Sequence, residues 1–259
     1  MVYMLLGTGF EETEAIAPLD LLRRAGVEVM TVGLNGLVIR GSHGICVEAD
    51  TEIGDVDFKD LEMIILPGGL GGVAAIRGCP AAMEVVRTAW ENGKYVAAIC
   101  AGPTVLADLG ITDGKNATCY PGCEGQMGSA NMLPNQAAVR DGNVITGTSA
   151  GCAIPFGLAL IAALKGQDAA NAIAEHVAGS QAGFAVLMNQ KAKDLGCTSS
   201  NFMNPHGLHH DEHYTTAREL ALLARYALKN EDFAEAASSQ YEALYYGNPP
   251  YRRTLKNHN

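Results

Sequence analysis

Between Val2 and about Gly166 the chain alternates short, nearly continuous apolar runs with helix-period segments, and this alternation constrains the fold more than any other feature. "VYMLL", "VEVMTVG", "EMIILPGG" and "YVAAIC" read as near-continuous apolar strands that belong inside a sheet covered on both faces, and "GNVITGT" as a short strand. "GICVEAD" and "NATCY" are shorter strand candidates. "EETEAIAPLDLLRRAG", "PAAMEVVRTAWENG", "GPTVLADLG" and "AIPFGLALIAALKG" have helical spacing and close on glycine. Strands separated by helices of this length predict a parallel α/β sheet. In such sheets ligands bind beyond the carboxyl ends of the strands. The turn "GTGFEETE", the pair Gly68 and Gly69, and Cys100 all fall there.

After residue 166 the rhythm changes to helices without buried strands. "DAANAIAEHVAG" and "SQAGFAVLMNQKAKDLG" read as helices, the second with Phe184, Leu187, Met188, Ala192 and Leu195 on one face. "CTSSNFMNPHGLHHDEHY" reads as a loop. "TTARELALLARYALKN" opens on a capping box, Thr216 with Glu219, and carries a stripe of Leu220, Leu223, Ala224 and Ala227. "QYEALYYGNPPYRRTLKNHN" shows no clear element. Two domains are expected, 1–168 and 169–259, the second a mainly helical appendage.

The net charge of −10 argues against nucleic acid or an anionic membrane as partner. The longest apolar run, "CAIPFGLALIAAL", is too short to span a bilayer and is broken by Pro155 and Gly157. "MVYMLLGTGFEETE" lacks the basic start of a secretion signal. Seven cysteines at positions 46, 79, 100, 119, 123, 152 and 197 show no disulfide framework and read as reduced thiols. Cys119 and Cys123 in "CYPGC" are four apart with no second pair, and read as ordinary thiols. The expectation is a cytoplasmic protein.

Cys100 stands where a strand becomes a helix, in "YVAAICAGPTVLADLG". A helix beginning near Gly102 would aim unpaired amides at the sulfur and lower its pKa. Ala101 and Gly102 leave room for a substrate or oxidant. The competing reading is a buried structural cysteine.

"GFEETEAIAPLDLLRRAG", "ILPGG", "AAICAGPTVLADLG" and "VRDGNVITGTSAGCAIPFGLALIAALKG" together resemble the ThiJ/PfpI family, in its DJ-one-like branch, over about residues 1–170. The resemblance implies a flavodoxin-like fold, no cofactor or metal, and a homodimer. It implies that Cys100 is the nucleophile and that Glu14 hydrogen-bonds it. It also implies that the amides of Gly69 and Ala101 hold an oxyanion. Periodicity does not separate Glu14 from Glu11 and Glu12, which read as solvated helix acids. The chain departs from the family in two places. Ala101 replaces the histidine of the protease-like branch, and Tyr120 to Pro134 contains no histidine. His43, in "GSHGI", matches a site-flanking arginine and is the accessory candidate.

"AEHVAGSQAGFAVLMNQKAKDLG" and "FMNPHGLHHDEHYTTARELALLARYALKN" resemble a fragment of the D-alanyl-D-alanine carboxypeptidases. That chemistry needs S-x-x-K, S-x-N and K-T-G. The chain has no S-x-x-K and no K-T-G, and Lys165 and Gln167 occupy the place of the S-x-N. Ser129–Asn131, "SAN", lies in the other domain. The tail is therefore expected to be catalytically inactive. His206, His209, His210 and His213, with Asp211 and Glu212, have ligand chemistry but diverge as loop neighbours, and read as structural.

The expectation is a cysteine-dependent, glutathione-independent glyoxalase or deglycase acting on methylglyoxal-type dicarbonyls. The alternative is a redox-sensing chaperone using the same thiol. A serine carboxypeptidase is what the tail alone would suggest.

Overall fold

The computed structural model describes residues 1–134, 136–177, 181–203, 209–229, 234, 237–238, 241–246 and 251–256. The chain divides into two compact units, Met1–Ile173 and Ala174–Asn259.

The first unit is built on β1 (Val2–Leu6), α1 (Glu12–Arg24), β2 (Val29–Gly33), β3 (Val38–Arg40), β4 (Cys46–Glu48), β5 (Thr51–Glu52), β6 (Met63–Leu66), α2 (Leu70–Arg77) and α3 (Pro80–Glu91). It continues through β7 (Tyr95–Ile99), α4 (Pro103–Asp108), β8 (Asn116–Ala117), β9 (Asn131–Met132), β10 (Ala138–Asp141), β11 (Val144–Gly147) and α5 (Ala153–Lys165). Seven strands form one sheet in the order β10-β11-β7-β6-β1-β2-β5. All neighbours are parallel except β10 against β11, at the edge. β3 and β4 pair as a separate antiparallel hairpin.

Alternation along each strand builds two cores. Met4, Ile65, Ala97 and Ile99 face one side, against Leu19 and Leu22 of α1 and Phe156, Leu160 and Ile161 of α5. Leu5, Ile64, Leu66, Val96 and Ala98 face the other, against α2, α3 and α4. Both parities of the central strands are buried, which is why these segments read as continuous apolar runs. Phe156 is fully buried on the α1–α5 side. Phe156→Ala should destabilise this unit by about 3–5 kcal/mol, measured by urea unfolding followed at Trp90.

Several elements of this unit differ from the sequence expectation, the short strands β3, β5 and β9 among them. α2 and β10 were not foreseen, because "LGGVAAIR" carries two helix-weakening glycines and "AVRD" is too short to show a period. "NATCY" contributes only a two-residue pairing of β8 with β9, outside the main sheet.

α6 (Gln167–Val177) crosses the division between the units. The second unit contains α7 (Gln181–Asp194), α8 (Ala217–Ala227), β12 (Tyr241–Tyr246) and β13 (Tyr251–Lys256). β12 and β13 form an antiparallel hairpin where no element was expected. "YEALYY" and "YRRTLK" are rich in strand-favouring Tyr, Leu and Thr, and "GNPP" between them is a turn signal. Thr216 caps α8 by accepting the Glu219 amide at 3.2 Å, as the capping box predicts. The Glu219 carboxylate does not complete the box. It instead accepts the amides of Thr198 and Ser199 and the Ser200 hydroxyl, pinning the preceding loop. The expected apolar stripes are only partly covered, Leu187 being 44% and Leu220 54% exposed, because Ala185 and Ala192 provide the buried contacts on α7.

Candidate active site

β7 ends at Ile99, and the next residue, Cys100, has φ of +64°; it is the one non-glycine with positive φ among the described residues. A left-handed conformation with a side chain costs about 1–2 kcal/mol and persists only where neighbours hold it. Two backbone bonds do so. The Cys100 amide donates to the Gly147 carbonyl at 2.9 Å, and the Tyr120 amide donates to the Cys100 carbonyl at 2.8 Å. The sharp turn lifts the thiol out of the sheet edge and leaves it half-buried.

The three acids after β1 take separate tasks. Glu11 caps α1, its Oε2 accepting the Glu14 amide at 2.7 Å. Glu12 is buried and accepts the His43 amide at 2.7 Å, the His43 ring Nδ1 at 2.9 Å and the Ser42 hydroxyl at 3.1 Å. It is therefore not a solvated helix acid: it pins the turn between β3 and β4, which brings its donors to it. Burial opposes its charge, but those donors outweigh burial and hold it at about 2. Glu14, 1% exposed, turns inward to hydrogen-bond Cys100.

The amides of Ala101 and Gly69 are directed at the Cys100 sulfur. The Glu14 carboxylate also accepts the amide of Gly68, at 3.0 Å, and that of Ala150. Cys100, Glu14, Gly69 and Ala101 are thus one constellation. Gly69 holds φ of +86°, which lets its amide turn toward the thiol without a Cβ penalty.

Electrostatics departs from the expectation of a depressed thiol pKa. Burial, followed by the charge and hydrogen bond of Glu14, pushes the Cys100 thiol up to about 12 against the two amides. α4 has only six residues, and its amides lower the thiol less than burial and Glu14 raise it. Burial also raises Glu14, to about 7, against the hydrogen bond from Cys100. The two groups compete for one proton, so they titrate as a pair. When the proton sits on Glu14, the repulsion that raises the thiol is gone and the carboxyl can donate to a thiolate.

His43 is 72% exposed at the side chain and its ring pairs with Glu12 and Ser42, so it is not brought among the hydrogen-bond partners of the thiol. Ligand atoms of Glu11, Glu12 and His43 lie within 4.8 Å of one another; the tail histidines form no such group among the described residues. His206 lies outside the described residues. His213 packs edge-on against Phe202 and accepts the Met203 amide, while His209 pairs with Asp211. Ala150, Gly147 and Tyr120 were not singled out from the sequence, because they act through backbone groups that no side-chain motif marks.

No helix among the described residues is long and apolar enough to cross a membrane. Residues 1–163 match the model of the DJ-1/PfpI family, and residues 158–259 match that of D-alanyl-D-alanine carboxypeptidase. The protein dj-1beta of Drosophila melanogaster is 35% identical over 174 residues, 66% of this chain and 93% of that relative. A Caenorhabditis elegans relative, glutathione-independent glyoxalase DJR-1.2, is 32% identical over 63% of this chain and 87% of its own length. The crystal structure of Drosophila DJ-1beta superposes with a TM-score of 0.65 at 34% identity, covering 68% of this chain and 96% of that one.

Proposed function

The chain belongs to the DJ-1/PfpI family, and on that premise we propose that it is a cysteine-dependent, glutathione-independent glyoxalase or deglycase acting on methylglyoxal-type dicarbonyls. The observation that carries this reading is the buried Glu14 carboxyl hydrogen-bonded to the Cys100 thiol, with the amides of Gly69 and Ala101 directed at the same sulfur. A relative bearing the glyoxalase name supports it.

In this reading the Cys100 thiolate attacks the aldehyde carbon of a 2-oxoaldehyde and forms a C–S bond. The oxyanion lies against the amides of Gly69 and Ala101 and takes the proton held by Glu14. Glu14, now a carboxylate, removes the proton from the former aldehyde carbon and returns it to the adjacent carbon, while the hydroxyl proton passes to the adjacent ketone oxygen, giving a 2-hydroxy thioester. Water cleaves the thioester, releasing a 2-hydroxy acid and the thiol. For the deglycase activity, the thiolate attacks the aminocarbinol carbon of a glycated amine; the C–S bond forms, the C–N bond breaks, and the amine leaves with the proton from Glu14, after which the same steps give the 2-hydroxy acid. Cys100→Ser should reduce glutathione-free methylglyoxal consumption to background with the fold intact by circular dichroism. Undiminished consumption would rule out the nucleophile.

His43 favours a second reading, because its ring is held by Glu12 and leaves the thiol without an imidazole partner. Cys100 would then be a redox sensor in a chaperone, oxidised to a sulfinic acid held by Glu14. Mild peroxide would add about 32 Da, two oxygens, to the Cys100 peptide while turnover stays negligible.

The reading includes a homodimeric, cytoplasmic protein. Val38 and Ile45, 67% and 58% exposed on the β3–β4 hairpin, support a second copy, and light scattering tests it. The carboxypeptidase-like tail is catalytically inactive in this reading, because no S-x-x-K occurs in residues 1–259. Fluorescent penicillin should leave the protein unlabelled; a labelled band would reverse this.

A further inference from the structure

The "CYPGC" segment carries chemistry that the Cys100 site does not use. Tyr120, Pro121, Gly122 and Cys123 form a β-turn closed by the Cys123 amide donating to the Tyr120 carbonyl at 2.9 Å. Proline at the second position and Gly122 at φ of +99° at the third are the signature of a type II turn. The Cys119 thiol donates to that same Tyr120 oxygen, at 3.5 Å. The sulfur of Cys119 and the backbone of Cys123 therefore converge on one atom. Both side chains also pack in one small cluster with Ala117 and Met127. Cys119 directly precedes the turn and Cys123 ends it, and a disulfide between them needs Cα atoms about 4.4–6.8 Å apart.

From this convergence we infer that Cys119 and Cys123 form a redox-active dithiol, closed by a hydroperoxide into a reversible disulfide across the turn.

The two thiols are unequal, and this sets the order of events. Cys123 is half-exposed and meets the oxidant, whereas Cys119 is 3% exposed. Burial, with the charge of Glu124, pushes Cys119 up to about 12, so it keeps its proton and does not compete for peroxide. The Cys123 thiolate attacks the peroxide; an S–O bond forms, the O–O bond breaks, and the alcohol leaves with one proton. Cys119 then attacks the sulfenic sulfur; the S–S bond forms, the S–O bond breaks, and water leaves with the Cys119 proton. Two thiols are oxidised by one electron each, and one hydroperoxide is reduced to alcohol and water. The Tyr120 amide between them holds the Cys100 carbonyl, so the disulfide forms beside the backbone that positions the nucleophile.

The test uses the reduced full chain, limiting tert-butyl hydroperoxide, maleimide blocking in denaturant and tryptic digestion. The peptide Asn116–Arg140 contains both cysteines and no others. It should escape labelling, lose two hydrogens, and take two labels once dithiothreitol is added. Cys100→Ser should leave this result unchanged, which separates it from the proposed activity at Cys100. Cys123→Ser should abolish it, and Cys119→Ala should do the same where burial makes one variant unstable. A fully labelled peptide beside an oxidised Cys100, a cross-link from Cys123 to Cys100, or stable oxygen adducts on Cys123 would each overturn the inference.

Discussion

Glu14→Gln should make the first unit more resistant to urea at pH 8 while reducing methylglyoxal turnover by about 10²- to 10⁴-fold. The stability half follows from burial. The Glu14 carboxyl rises from 4.5 to about 7 in the folded chain. A group raised on folding lends its full stability below the unfolded value and loses it as pH climbs through the folded value. Wild type should therefore lose stability between about pH 4.5 and 7, by on the order of 3 kcal/mol for a shift of this size. Glutamine keeps an oxygen for the Gly68 amide and never ionises, so the variant should lack this loss. Trp90, the single tryptophan, lies in α3 and reports on this unit alone. Urea midpoints at pH 5 and pH 8 give the comparison, and an equal pH dependence in both proteins would show that Glu14 is not the group being held neutral. Alkylation supplies a second readout. Cys100 reactivity with iodoacetamide should rise through about pH 7 in wild type, where the pair releases its first proton, and this step should vanish in the variant.

The sequence shows the fold where burial is two-sided. β1, β6 and β7 are buried at both parities, so their apolar runs mark a covered parallel sheet before any coordinates. Helices with strong caps, such as the one starting after Thr216, are equally plain. Elements held by pairing alone are not: β10 is an antiparallel edge of four residues, and its placement depends on β11. Within the site, the strand-to-helix position of Cys100 is readable, but its positive φ is imposed by Gly147 and Tyr120 from distant segments. Glu14 illustrates the limit best. Three acids within four residues look alike in sequence, and family resemblance alone selects Glu14. The fold then separates them, one to the cap, one to the β3–β4 turn and one to the thiol. The thiol pKa differs from the expectation for a related reason: the helix terminus is visible in the local sequence, while the opposing Glu14 carboxylate comes from another part of the chain.

Gly68→Ala should disable the site more thoroughly than its single methyl group suggests. A Cβ there would lie 2.6 Å from the Cys100 Cβ and 3.0 Å from the Ile99 carbonyl oxygen, and would collide with Glu14 Oε2. Cys100 cannot retreat, because its strained backbone is tied to Gly147 on one side and Tyr120 on the other. Glu14 is the freer partner, but it moves only by leaving both the Gly68 amide and the thiol. The substitution therefore separates the two groups that share the proton. Overpacking of this kind costs about 1–3 kcal/mol, so a folded but weakened protein is expected. Its methylglyoxal turnover should fall by about 10²-fold or more, the contribution of a positioned acid–base group. Its Cys100 alkylation profile should lose the step near pH 7, as in Glu14→Gln, without the gain in stability at pH 8. That combination distinguishes a displaced carboxyl from a neutralised one. Wild-type turnover with an unchanged profile would mean that the close contact of Gly68, Glu14 and Cys100 is not what sets the chemistry.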